Sequence, residues 1–190
     1  MIVLGIDPGS INTGFAFLQQ GETHRANQYR VIRSGAIKTD SKIPFQERLK
    51  IIQNEFLEVL KSEKIPQMHI SMESLIYVKS PTSLIKLAQT RGLLISCLYQ
   101  MEYFQIHEYS PNLIKTTVTG HGHATKESMA LMLQKILKVK NFSSHDESDA
   151  IATAFCHLLR FPTNGPSNAN VKKSTGKRNL QNSLSHLVNR

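Results

Sequence analysis

The chain has 190 residues, 40% of them hydrophobic and 19% charged, an ordinary balance for one soluble domain large enough to bury a core. No segment approaches the roughly 20 apolar residues of a spanning helix, and the opening residues read as a strand, not a signal-like segment, so a cytoplasmic protein with no membrane partner is expected. The net charge of +9 favours a polyanionic partner and says nothing about fold.

Taken in order, Ile2, Val3, Leu4 and Ile6 read as a buried strand that delivers Asp7 to a turn forced by Pro8 and Gly9. Residues 13 to 20 and 29 to 39 read as two further strands, which makes the opening an antiparallel meander. Pro44 opens a helix whose apolar stripe runs through Phe45, Leu49, Ile52, Phe56 and Val59, with Arg48 and Lys50 off it. Met68 to Met72 returns as a strand and delivers a second acid, Glu73, followed by a loop over residues 74 to 81. Thr82 to Gln100 is helical, with Leu84, Leu87, Ala88, Leu94, Ile95 and Leu98 on one face. Tyr103 to Glu108 is a fifth strand, Ser110-Pro111 starts a helix carrying Lys115, and the glycine-flanked His121 and His123 precede a further helix. This alternation predicts an α/β domain. Cys97 and Cys156 fall in helical apolar runs and read as reduced core residues.

The last helix begins at Ser144, with Glu147 in capping-box spacing and therefore engaged by the helix's own N–H groups. Asp146 and Asp149, three apart, share one face of its first turn. Each acid alone has a bland reading: Asp7 caps its own turn, and the helix pair complements the helix dipole. Together they say more. If the first and fourth strands are neighbours, Asp7 and Glu73 lie side by side and need a cation to coexist. Hard oxygen ligands select Mg²⁺, with Mn²⁺ as substitute, and two such ions suit an in-line phosphodiester displacement.

In this order, Gly5-Ile6-Asp7-Pro8-Gly9, Met72-Glu73, Gln89-Thr90-Arg91-Gly92, Gly120 to Lys126 and Asp146-Glu147-Ser148-Asp149-Ala150 resemble the RuvC family of bacterial Holliday junction resolvases. The resemblance runs from Met1 to about Phe161. It implies a ribonuclease H-like fold, a mixed five-stranded sheet flanked by helices, and a Mg²⁺-dependent crossover junction endodeoxyribonuclease with two ions per active site. It also implies a homodimer that nicks two strands of a four-way junction symmetrically, with a branch-migration motor complex as a further partner. Matched to the family pattern, Asp7, Glu73, Asp146 and Asp149 are the metal-binding and catalytic acids, and Lys126 and Lys115 are basic groups beside the scissile phosphate. Ile76, Tyr77, Lys79, Arg91, Lys115 and Lys126 are the positions expected on DNA. Ile76 stands where the family has an aromatic wedge, with Tyr77 directly after it, so the stacking role falls to one of the two. The helix from Thr82 to Gln100 is the expected dimer interface by the same analogy.

Three readings compete with the resolvase. A sugar kinase or actin-like ATPase needs two such domains, and the chain has length for one. A nuclease of the same fold acting on another DNA or RNA, or a silent junction-binding protein, is separable only by assay. His121 and His123 have no third ligand nearby in sequence and are not expected to bind metal, and His145 is expected to be exposed. Residues 162 to 190 read as a basic, flexible tail: Lys172, Lys173, Lys177, Arg178 and Arg190 with no acid carry +5 of the net charge and leave +4 on the body over residues 1 to 161.

Overall fold

The computed structural model describes residues 1–21, 29–63, 65–75 and 80–161. Strands β1 (Ile2–Asp7), β2 (Asn12–Gln20) and β3 (Tyr29–Lys38) form the antiparallel meander expected from their alternating apolar runs. Helix α1 (Phe45–Glu63) crosses back, so β4 (His69–Glu73) lies parallel to β1, and α2 (Pro81–Gln100) leads to β5 (Ile106–Tyr109), parallel to β4. The sheet order is β3-β2-β1-β4-β5, a mixed five-stranded ribonuclease H-like sheet. Helices α3 (Pro111–Thr119), α4 (Lys126–Leu137) and α5 (His145–Arg160) complete the described residues.

Two apolar layers hold the sheet. On one side Leu4, Ile6, Phe15, Phe17 and Ile70 meet Ile52 and Phe56 of α1 and Leu94 and Leu98 of α2. On the other, Val3, Ala16 and Leu18 meet α5 through Ala150, Ile151, Ala154 and Phe155, with α3 and α4 outside it. Phe155 is wholly buried; at about 25 cal/mol per Å² such a ring contributes a few kcal/mol.

The α1 stripe runs as expected except at Arg48. It is buried, donates from Nη1 to the Ser10 carbonyl at 2.5 Å and lies over the Phe45 ring, because the loop after β1 offers an unpaired acceptor. In the first half of α2, Ala88 is exposed and Leu84 and Leu87 are half-buried, while burial concentrates at Thr90, Arg91, Leu94, Cys97 and Leu98. Cys97 and Cys156 are buried free thiols. Glu147 is engaged as expected, with a different partner set: Ser144 Oγ accepts from the Glu147 N–H, while its carboxylate accepts from Ser143 and, at 2.6 Å, from Ser34 Oγ. Burial opposes that charge, but the Ser143 and Ser34 bonds outweigh it and hold Glu147 below the usual carboxylate range.

At the start of β4, His69, His107 and His157 cluster under Phe161. Burial, and then the neighbouring His107 and His69 rings, push His157 down to about 3, so it is neutral at physiological pH.

Candidate active site

Parallel pairing of β1 with β4, Ile6 opposite Met72, puts Asp7 and Glu73 at the same end of adjacent strands, about 4.8 Å apart in the sheet. Two glycines set the third side. A Cβ on Gly5 would overlap the Ala150 carbonyl and lie 2.6 Å from the Ala154 nitrogen, and a Cβ on Gly14 would overlap the Asp146 carbonyl. Helix α5 therefore rests directly on the backbone of β1 and β2, with its first turn over Asp7. Ser144 caps that turn by accepting from the Glu147 N–H at 3.2 Å, which fixes Asp146 and Asp149 at the mouth of the strands.

Asp7, Glu73 and Asp149 line one cleft of about 200 Å³ with Lys115, Lys126 and Ile114. Lys126 is the first residue of α4, where Thr125 accepts from the Ser128 N–H as N-cap, and its Nζ donates to Asp149 Oδ2 at 2.6 Å. Lys115 enters from α3, which Ser110 caps by accepting from the Leu113 N–H. Asp146 is half-buried beside the cleft.

The electrostatics show how crowded the acids are. Burial and then the negative charges of Glu73, Asp149 and Asp146 push Asp7 well above the carboxylate range, with Lys126 opposing. Glu73 is raised by burial and then Asp149, with Lys126 and Lys115 pulling the other way. Burial disfavours the Lys126 ammonium, but its hydrogen bond to Asp149 and the charges of Asp149, Asp7 and Asp146 outweigh that and leave it raised. One oxygen is left over: Asp149 Oδ1 is buried with no hydrogen-bond partner among the described residues. Mutually repelling acids, an orphaned carboxylate oxygen and an all-oxygen donor set fit a hard divalent cation.

The family model of crossover junction endodeoxyribonuclease RuvC matches residues 3–157. The chain belongs to the RuvC family. Among its relatives, RuvC of Ehrlichia ruminantium (strain Gardel) is 38% identical over 158 residues, 83% of this chain and 96% of that protein. RuvC of Aliarcobacter butzleri is 40% identical over 84% of this chain and 99% of its own length. The solved structure of T. thermophilus RuvC in complex with Holliday junction substrate is similar at a TM-score of 0.71 and 28% identity, over 83% of this chain and 93% of that one. The two curated relatives are endodeoxyribonucleases by name, and the T. thermophilus structure shares the fold over 83% of this chain.

Seen against the RuvC-family expectations, the fold brings Asp7, Glu73, Asp149, Lys115 and Lys126 into one cleft, with Asp146 at its edge. Arg91, expected on DNA, is buried: it donates from Nη1 to the Glu73 carbonyl at 2.7 Å and pairs through Nη2 with Glu108, so its guanidinium holds the end of β4. Arg91→Ala is therefore expected to lower cleavage while the salt dependence of junction affinity stays unchanged; loss of a phosphate contact would reduce the slope of log affinity against log salt by about 1. Ile76, Tyr77 and Lys79, and the basic segment 162–190, lie outside the described residues. Sequence reading missed Gly5 and Gly14 as spacers for α5; the small residues Ala150 and Ala154 opposite Gly5 were the available signal.

Proposed function

We propose that this protein resolves four-way (Holliday) DNA junctions by metal-dependent hydrolysis of two phosphodiester bonds, placed symmetrically by a homodimer. The observation that carries the reading is the convergence of Asp7, Glu73 and Asp149 with Lys126 in one cleft of a RuvC-family chain. Asp7, Glu73, Asp146 and Asp149 are the residues that would hold Mg²⁺, or Mn²⁺ in its place, as two ions per site. When bound, such ions polarise the phosphoryl oxygen and lower the pKa of the attacking water.

The protein's own groups do the rest. Asp7, beside Glu73 on the neighbouring strand and close to Asp149 and Asp146 of the helix, would be central to the ligand set. Lys126, partly exposed above Asp149, presents a cation to the scissile phosphate where negative charge builds in the transition state. Lys115, on the Glu73 side, neutralises the approaching backbone. Lys126→Ala is expected to reduce the single-turnover cleavage rate about 10²-fold with junction affinity little changed, and Lys115→Ala to weaken binding more than rate.

Dimerisation is supported by α2, which leaves Ile85 58% exposed and Tyr99 half-exposed on its outer surface. Two buried thiols with no disulfide suit the reducing cytoplasm. The deciding experiment compares a mobile four-way junction with linear duplex, single-stranded and RNA substrates in Mg²⁺. Paired nicks confined to the junction support the reading; binding without cleavage leaves a junction-binding protein, and cleavage indifferent to the crossover leaves a general nuclease.

A further inference from the structure

At the far end of β4 from Glu73, three histidines from three elements meet. His69 opens β4, His107 lies in the edge strand β5, and His157 sits in the last turn of α5. One nitrogen from each lies within 4.8 Å of the others, and His157 Nε2 is 3.0 Å from His69 Nδ1. The other nitrogen of His157, Nδ1, is 2.8 Å from the Tyr109 hydroxyl. His157 is wholly buried, and Phe161 stacks on it at 4.9 Å while its ring edge packs against His69.

A simple hydrogen-bonded relay of Tyr109, His157 and His69 accounts for two of the rings and leaves the third unexplained. His107 Nε2 is buried and has no hydrogen-bond partner among the described residues. Three imidazoles whose ligand nitrogens lie within 4.8 Å of one another, one of the rings with a buried nitrogen left unpartnered, are what a ligand set looks like without its ion.

We propose that His69, His107 and His157 form a binding site for one divalent transition-metal ion of the zinc class, separate from the catalytic carboxylates. Zinc takes imidazole nitrogens at about 2.0–2.1 Å, which places ligand atoms about 3.3 Å apart in a tetrahedron. His69 and His107 are only half-buried, so small side-chain rotations close the remaining distance. In the bound tautomer His157 Nδ1–H donates to the Tyr109 hydroxyl and frees Nε2 for the metal, the outer-shell bond that orients such ligands. His69 and Phe161 also line a groove together with Met1, Met68 and Tyr103, so the cluster borders solvent on that side.

The two metal centres differ in place and chemistry. His69 precedes Glu73 by four strand residues, about 13 Å, and His157 follows Asp149 by eight helical residues, about 12 Å. The carboxylate site offers hard oxygens for Mg²⁺, and the histidine site offers borderline nitrogens that Mg²⁺ binds poorly. An ion on the triad ties the short edge strand β5 and the end of α5 to β4, so its effect is on stability.

The test uses the full chain carrying Asp7→Asn to weaken the carboxylate site, stripped with EDTA and titrated with Zn²⁺ by calorimetry and with Co²⁺ by visible absorption. One Zn²⁺ per chain, tetrahedral Co²⁺ bands and a rise of about 5 to 10 °C in Tm at 100-fold excess over Kd are expected. His69→Gln and His107→Gln should each remove saturable binding, Tyr109→Phe should weaken it about 10- to 100-fold, and His121→Gln with His123→Gln should leave it unchanged. If a triad variant fails to fold, imidazole ¹⁵N spectra of the otherwise intact chain decide: Zn²⁺ must shift three histidines whose protons exchange slowest with solvent or lie in the sheet and α5. Binding that survives His69→Gln and His107→Gln, binding lost only with His121 and His123, or unshifted imidazole resonances would overturn the site and leave the triad a packing cluster.

Discussion

Asp7→Asn is expected to lower junction cleavage by at least about 10³-fold, leave junction binding intact and make the metal-free protein more stable at neutral pH. The first part follows from the position of Asp7 between Glu73 and the α5 acids. The last follows from its charge. Burial and then Glu73 and Asp149 raise Asp7 well above its ordinary value of 3.8, so the folded chain holds a proton the unfolded chain has released. Stability of the metal-free form is therefore highest below the ordinary carboxylate value, falls as pH rises through the interval up to the raised one, and stays lowered above it. Glu73, also raised, acts in the same direction. An amide at position 7 removes the repulsion and the buried charge of the more strongly raised acid, so the Tm of the metal-free variant should exceed that of the wild type above this interval, by about 2 to 4 °C per kcal/mol relieved. Adding Mg²⁺ or Ca²⁺ should reverse the order, because the wild type gains binding energy that the variant lacks. Thermal melts of both chains across pH, with and without metal, check this. A variant less stable than wild type without metal above this interval would show that Asp7 is held by a hydrogen bond and not strained by its neighbours.

The acids were legible in sequence because their chemistry is at odds with their setting. Asp7 and Glu73 end apolar strands, and Asp146 and Asp149 open a helix at a spacing that shares one face, so topology alone brings them together. Arg91 and Arg48 were not legible. Both are basic residues whose flanking pattern fits a solvated face, and only the carbonyls of Glu73 and Ser10, fixed by tertiary geometry, bury them. The first half of α2 carries more apolar residues than the core of one chain covers: Leu84 and Leu87 are half-buried, and Ile85 is exposed. The histidine triad was invisible because its members lie far apart in sequence and meet only through parallel pairing of β4 with β5 and the packing of α5 across both. The pair that drew attention, His121 and His123, lies in the loop before α4, outside that cluster.

Gly5→Ala and Gly14→Ala should separate folding from catalysis, since both sit under α5 at different distances from the acids. A methyl on Gly5 meets the Ala150 carbonyl, the Ala154 nitrogen and the Ala154 Cβ at once, all on a helix pinned by Ile151 and Phe155 in the core. No flexible side chain is there to yield, so helix and sheet must part along their length, at about 3 kcal/mol or more and a Tm lower by about 6 to 12 °C. A methyl on Gly14 meets the carbonyl of Asp146 and, at 3.2 Å, the Ala150 Cβ, so the strain falls on the first turn of α5. That turn can lift by fraying at its cap at smaller cost, about 1 to 2 kcal/mol. Lifting it carries Asp146 and Asp149 away from Asp7, and a 1 Å displacement of a catalytic group can cost about 10²-fold in rate. Gly14→Ala is thus expected to keep most of its stability and lose about 10²-fold in single-turnover cleavage with junction affinity unchanged, whereas Gly5→Ala loses stability first. Cleavage by Gly14→Ala within about threefold of wild type would mean that the helix acids tolerate displacement, and that Asp7 and Glu73 carry the reaction between them.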